Sequence, residues 1–270
     1  MTTGRVSAWF ADVQAATAFL TRLPVGWPRS APSDQLARAC AHFPLIGAGL
    51  GAGAGLSAWG LLALGAPAWV AAGLAVTLLI LVTGGLHEDG LADTADGLGG
   101  GATRDAKLAI MRDHQVGSYG ALALIVSVLL RVAAIAALTS GASDGITLVV
   151  VLALAGAASR TAMVGVFALV LPARIDGLAA TQRPGSRTCA IACLWTVVLL
   201  PGIAIAGLGP ATGALLAAGI ACMAVIAAAA LAGLARRALG GHTGDVLGAV
   251  QQVAEIAGLI AATIILGAPA

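Results

Sequence analysis

From residue 43 onward the chain alternates long apolar runs with short polar ones. The runs cover 43 to about 64, 68 to about 86, about 120 to 138, 146 to 171, about 189 to 206 and 211 to 234. A last run follows the segment 235–245 and ends near residue 266. Each is close to the roughly 20 residues a helix needs to cross a bilayer. The pattern predicts an all-α fold: a polytopic membrane helical bundle with about seven transmembrane helices. Short turns at 65–67, 139–145 and 207–210 join pairs of spans. Residues 5–24 read differently, because Trp9, Phe10, Val13, Thr17 and Leu20 form only a stripe of apolar positions. That stripe predicts an amphipathic helix lying at the membrane interface. Residues 1–270 read as a single integral-membrane domain without internal repeats. Asp12 and Gln14 break any clean apolar core near the start, so no cleavable leader is expected.

Composition agrees with the pattern. Of 270 residues, 59% are hydrophobic and 10% are charged, with a mean hydropathy of +0.98. A soluble globular chain carries about 25% charged residues, so that class is excluded. Abundant Ala and Gly suit membrane helices that pack closely. Cys40, Cys189, Cys193 and Cys222 form no CxxC pattern and read as buried, reduced thiols.

Charge placement predicts the orientation. Lys and Arg number four before the first span, three in the stretch 87–118, three in 172–188 and two in 235–245, with none in the other turns or after the last span. Basic residues mark the cytoplasmic side. The expectation is a multi-pass protein of the cell (inner) membrane, with the N-terminus and active site cytoplasmic and the C-terminus outside.

The stretch 83–120, TGGLHEDGLADTADGLGGGATRDAKLAIMRDHQVGSYG, interrupts the apolar pattern. It holds Glu88, Asp89, Asp93, Asp96, Asp105 and Asp113, with His87 and His114. Read as a helix, Asp89, Asp93 and Asp96 stand at i, i+4 and i+7, within roughly 60° of one face. Carboxylates so stacked repel one another unless a cation lies between them. Mg²⁺, shared with substrate phosphates, is the natural partner. The bland alternative is a solvated charged loop. A carboxylate-held Mg²⁺ at a cytoplasmic membrane face suggests chemistry on a phosphoanhydride. Arg104, Lys107 and Arg112 are candidates to hold phosphate oxygens, or else ordinary cytoplasmic-side residues. Asp113 and His114 are each candidates for a general base or for a helix cap.

A second constellation is Gly240-Gly241-His242-Thr243-Gly244-Asp245, where Thr243 or Asp245 can cap the last span and its N-terminus can face an anion. Gln252 and Glu255 continue that polar face. Arg131, Arg160 and Glu255 all lie roughly 15–18 Å from the cytoplasmic boundary at 1.5 Å per residue. Lone charges at that depth are costly. Glu255 is therefore expected to pair with Arg131 or Arg160, unless the arginines reach down a polar cavity to substrate phosphate.

The segments His87–Gly97 (HxDGLADTxDG), Ile110–Gly120 (IMRDxxxGxYG) and Gly240–Glu255 (GGxTGDxxGAxxxxxE) resemble the cobalamin synthase family, the adenosylcobinamide-GDP ribazoletransferases. FLTRLPV at 19–25 and FPLIG at 43–47 match as well, so the resemblance runs nearly end to end. Glu88 departs from a position that is usually apolar, and His114 from one that is often serine. The resemblance implies attack by a ribose hydroxyl of α-ribazole, or of its 5′-phosphate, on the phosphate attached to cobinamide. GMP leaves and the nucleotide loop of adenosylcobalamin is completed. On this reading Asp89, Asp93 and Asp96 hold Mg²⁺, His87 assists or ligates, and Asp113, which lies in the motif, is the preferred base. Arg104, Lys107, Arg112, Arg131, Arg160, Thr243, Asp245 and Glu255 are the candidate substrate-binding residues. The implied partners are adenosylcobinamide-GDP, α-ribazole or its 5′-phosphate, and membrane lipid, with no nucleic acid. A homo-oligomer or association with other cobalamin-assembly enzymes stays open. Two alternatives remain. A CDP-alcohol phosphotransferase would carry DGxxAR, but Asp93 stands where that family has Arg. An ion-coupled transporter built on Arg131, Arg160 and Glu255 would be expected to show repeat symmetry and broken helices, and neither is legible.

Overall fold

A computed structural model of the chain describes residues 2–28, 32–113, 115–140 and 145–267. The described residues form twelve α-helices: α1 (Thr2–Leu20), α2 (Gln35–Ala39), α3 (Phe43–Ala63), α4 (Ala68–Thr83), α5 (Leu86–Gly100), α6 (Arg104–Ile110), α7 (Ser118–Ser140), α8 (Gly145–Leu169), α9 (Leu178–Thr181), α10 (Ser186–Leu208), α11 (Pro210–Leu239) and α12 (Gly244–Leu266). A 3-10 turn, Cys40–His42, leads into α3. His114 and the middle of the turn 139–145 lie outside the described residues.

Six of these helices are long and apolar enough to cross a membrane, and a seventh crossing results if α4 and α5 count together as one bent span. The molecule is a multi-pass membrane bundle with α8 at its centre, touching α3, α10, α11 and α12. Against α3 the contact is backbone to backbone. A Cβ on Gly51 would stand 2.0 Å from the Leu152 carbonyl oxygen, and one on Gly156 2.2 Å from that of Gly47. Small residues at such crossings replace the hydrophobic drive that is missing in lipid with close packing. Large apolar side chains such as Leu81, Leu122, Leu129 and Val197 point outward, as a lipid-facing surface requires.

Two expectations, the end of the second span and the burial of all four cysteines, need correction. The second span stops at Thr83 rather than near 86, and α5 leaves it at 90°. Gly84 (φ 65°) and Gly85 (φ 69°) make that corner, since both take a left-handed conformation that a side chain disfavours. A broken helix is therefore present, although the sequence pattern showed none. On α1, Ala15, Ala16 and Leu20 are buried, while Trp9 and Phe10 of the predicted stripe are exposed. The helix is turned by Asp12, which accepts hydrogen bonds from Gln35 Nε2 at 2.7 Å and Arg38 Nε at 3.3 Å. Trp9 and Phe10 then face outward, where aromatic residues sit well at the headgroup level. The four cysteines are free, but only Cys40 is buried, and Cys193 and Cys222 are exposed.

Candidate active site

The corner at Gly84–Gly85 aims the start of α5 back into the bundle. The 19–25 segment braces it: the Arg22 amide donates to the Val82 carbonyl at 2.7 Å. The Arg22 side chain lies where a Cβ on Gly84 would go. α5 then crosses α12 at Gly90 and Gly248, and a Cβ on Gly90 would meet the Asp245 carbonyl oxygen at 2.7 Å. The glycines of DGLAD and GDVLG thus bring two acidic helix starts against each other. Burial differs along α5: Asp89 is exposed, Asp93 half-buried and Asp96 buried.

The glycine pair at 240–241 builds the opposite wall. Gly240 ends α11 in the left-handed region (φ 81°). Gly241 then abuts the chain at 171–173, where a Cβ would lie 2.1 Å from the Leu171 carbonyl oxygen. The His242 amide donates to Leu171 at 2.9 Å, and the Ala173 amide donates to the His242 carbonyl at 2.7 Å. Thr243 caps α12 by accepting from the Val246 amide at 3.2 Å, as one reading of the turn anticipated. Asp245 does not cap. It pairs instead with Arg174 at 3.1 Å and accepts from the Thr243 hydroxyl at 3.1 Å.

Between these walls lies a cavity of about 400 Å³. Asp89, Asp176, Arg174 and Asp245 line it, with Asp89 and Asp176 exposed and so marking its mouth. Leu36, Phe43, Met163, Val164 and Phe167 also line it and are buried. The cavity therefore has a charged entrance and an apolar interior. Two buried histidines line it as well: His87 with 2% of its surface exposed and His242 with 1%. Nε2 of His87 and both ring nitrogens of His242 have no hydrogen-bond partner. Burial pushes the His242 imidazole below its ordinary pKa, and the charge of Arg183 adds to that. The neighbouring Thr243 backbone opposes it, by more than Arg183 adds, but burial outweighs both. His242 is thus held neutral.

Beside His87 and within its electrostatic reach lies a buried set of four charges. Arg131 pairs with Glu88 at 3.0 Å and approaches Glu255 at 4.0 Å. Arg160 pairs with Glu255. Gln251 donates to Glu255 at 2.6 Å, Gln252 donates to Glu88 at 3.2 Å, and Ser127 donates to Gln252 at 2.9 Å. Two positive and two negative charges cancel, which is what makes their burial tolerable. The expected pairing of Glu255 holds with both arginines, and neither arginine lines the cavity.

The other candidates do not line the cavity. Arg104 donates to the Leu239 carbonyl at 2.9 Å and to that of Ala173, strapping α6 to the end of α11. Lys107 donates to the Leu98 carbonyl near the end of α5, where a cation also suits the helix dipole. Arg112 forms a rim ion pair with Asp176. Asp113 is exposed, accepts from the Gln115 amide at 3.2 Å, and does not line the cavity. Asp96 accepts one amide on each oxygen, from Gly117 at 2.8 Å and Gly120 at 2.9 Å, and so caps the start of α7. A short-range helix pattern registers its face but not that distant partner. Arg174, Asp176, His242 and Glu88 were not singled out as site residues by sequence. The unassigned histidine inside a glycine turn was the one available signal for His242.

Among the described residues, no three His, Cys, Asp or Glu side chains gather closely enough to hold a metal ion by themselves. Asp89 and Asp245 nonetheless feel each other's charge at one cavity, with Asp93 one turn further along α5. Mg²⁺ usually takes one or two carboxylates and completes its shell with phosphate oxygens and water. The donor set fits such a shared ion, not a protein-only cage.

Residues 12–263 match the family model described as cobalamin-5-phosphate synthase. The chain belongs to that family. An adenosylcobinamide-GDP ribazoletransferase of Azorhizobium caulinodans is 42% identical over 267 residues, covering 95% of this chain and 96% of the relative. One of Rhizobium johnstonii is 39% identical, covering 95% and 98%. A third, of Bradyrhizobium diazoefficiens, is 42% identical, covering 93% of each. No solved structure matches the chain. The family match spans all the walls of the cavity, from Phe19 to Gly248.

Proposed function

We propose that this chain transfers adenosylcobinamide phosphate from adenosylcobinamide-GDP to α-ribazole or its 5′-phosphate, at a Mg²⁺-assisted site on the cytoplasmic face of the inner membrane. The observation that carries the reading is the near end-to-end match to relatives of that name. The cavity supports it by bringing the two motif carboxylates, Asp89 and Asp245, to one mouth. The ribose hydroxyl oxygen forms a bond to the phosphorus carried by cobinamide. The bond from that phosphorus to the bridging oxygen of the diphosphate breaks, and GMP leaves with the oxygen.

Asp89 and Asp245, with Asp93 nearby, would hold Mg²⁺, which when bound neutralises charge on the diphosphate. Arg174 reaches a phosphate oxygen through the guanidinium edge not taken by Asp245. His87 lines the cavity, and its Nε2, buried and without a hydrogen-bond partner, takes the hydroxyl proton and holds the attacking oxygen in line. The twelve basic residues on one set of loops, against none on the other, support the cytoplasmic placement.

Asp89→Asn is expected to lower product formation about 10²-fold or more, the usual cost of losing a charge-stabilising group. Asp113→Asn should stay within a few-fold of wild type, because Asp113 does not line the cavity. The reverse ranking in purified full-length protein would move the site to the 110–118 loop.

A further inference from the structure

The charged mouth accounts for phosphate chemistry but leaves the cavity's interior unassigned. That interior is walled by Leu36, Phe43, Met163, Val164 and Phe167, each no more than 6% exposed. The one polar side chain there with two unpartnered ring nitrogens is that of His242, whose ring stands edge-on to Phe167 at 5.4 Å between centroids. A neutral imidazole carries one N–H and one lone pair. Leaving both unmet in a buried site is costly unless a ligand meets them. Small-molecule sites have this build, mostly apolar with a few placed polar groups, in volumes of about 300–1,000 Å³.

We propose that this interior seats the planar base of the acceptor, an uncharged alkyl-substituted benzimidazole, and that His242 reads its free ring nitrogen. The proposal rests on the transferase reading and adds to it the subsite and the residue that select the acceptor. Three bases or rings enter the reaction. Guanine presents O6, N7, N1–H and an amino group, and an apolar interior would leave most of them unsatisfied. The corrin with its amide arms is far larger than about 400 Å³. The benzimidazole of ribazole has a methyl-bearing benzo edge for the phenylalanine walls and a single nitrogen lone pair for the His242 N–H. Seated so, its ribose points towards the carboxylates at the mouth, past His87 in the buried wall.

Initial rates with acceptor and donor varied separately in purified full-length protein test this. Val164→Phe fills the interior and should raise KM for ribazole tenfold or more, with KM for adenosylcobinamide-GDP within twofold. A riboside of unsubstituted benzimidazole, smaller by two methyl groups, should recover most of that loss. His242→Phe keeps a ring but removes both nitrogens. It should raise KM about tenfold for both acceptors, the scale of one lost hydrogen bond in a buried site. A shift in donor KM instead, or equal loss for both acceptors in Val164→Phe at an unchanged melting temperature, would overturn the proposal. If Val164→Phe shows no melting transition, equilibrium binding of ribazole to His242→Phe decides, and unchanged affinity overturns it. Should wild-type protein turn over neither acceptor, the transferase reading fails by itself. The seat then stands if ribazole binds and guanosine does not, and falls if ribazole does not bind.

Discussion

Glu255 shows how far single residues can be read from sequence. Its depth on the last span matched those of Arg131 and Arg160, and the pairing followed from the cost of unpaired charge in a membrane. Glu88 was harder, because an acidic run at a membrane boundary does not say which carboxylate turns inward. Its neighbour Asp89 faces the mouth while Glu88 meets Arg131 at 3.0 Å. Glu255→Gln should cost about 3–5 kcal/mol of stability, since it leaves Arg160 buried and uncompensated. Adding Arg160→Met should restore much of that loss, and equilibrium unfolding in detergent reads both. A single variant as stable as wild type would mean that the charges do not depend on one another. His242 gives a pH prediction. Its folded-state pKa lies below the ordinary value of 6.5, so below about pH 6.5 the unfolded chain binds a proton that the folded chain refuses. That contribution to stability is present above pH 6.5 and declines as pH falls through the window beneath it. The fall in melting temperature from pH 7.5 to 5.5 should therefore be smaller in His242→Phe than in wild type. An equal fall would place the sensitivity on other groups.

At the scale of elements, apolar run length located nearly every membrane helix to within a few residues. Hydropathy has a strong period-free signal there. It failed at the corner between α4 and α5, because the apolar run continues through Gly84 and Gly85 to Leu86 and only the tandem glycines mark the turn. The helical face of Asp89, Asp93 and Asp96 was legible, and α5 is indeed a helix. The division of labour along that face was not. Asp96 belongs to the start of α7, a contact 21–24 residues away that no local periodicity encodes. The α3–α8 crossing makes a sharper element-level prediction. Gly51→Leu puts side-chain atoms into the Leu152 backbone and should lower the yield of folded protein severely. Gly49→Leu, where nothing lies within 4 Å of an added Cβ, should be nearly neutral. Similar melting temperatures for the two variants would refute the close α3–α8 contact.

For the whole molecule, the asymmetry of basic residues and the positions of the cavity walls point to one working face. The corner at 84–90, the loop at 172–180 and the turn at 240–248 meet there. Reporter fusions at Gly65, Gly141 and Ala270 should read outside the cytoplasm, and one at Gly177 inside. A cytoplasmic reading at Ala270 would change the number of crossings. The central claim is the transfer itself, and GMP release by the purified full-length chain tests it most directly. With adenosylcobinamide-GDP, ribazole and Mg²⁺ together, one GMP should appear for each completed nucleotide loop, and release should stop when ribazole or Mg²⁺ is withheld. GMP release that continues at the same rate without ribazole, or no release from the complete mixture, would contradict it.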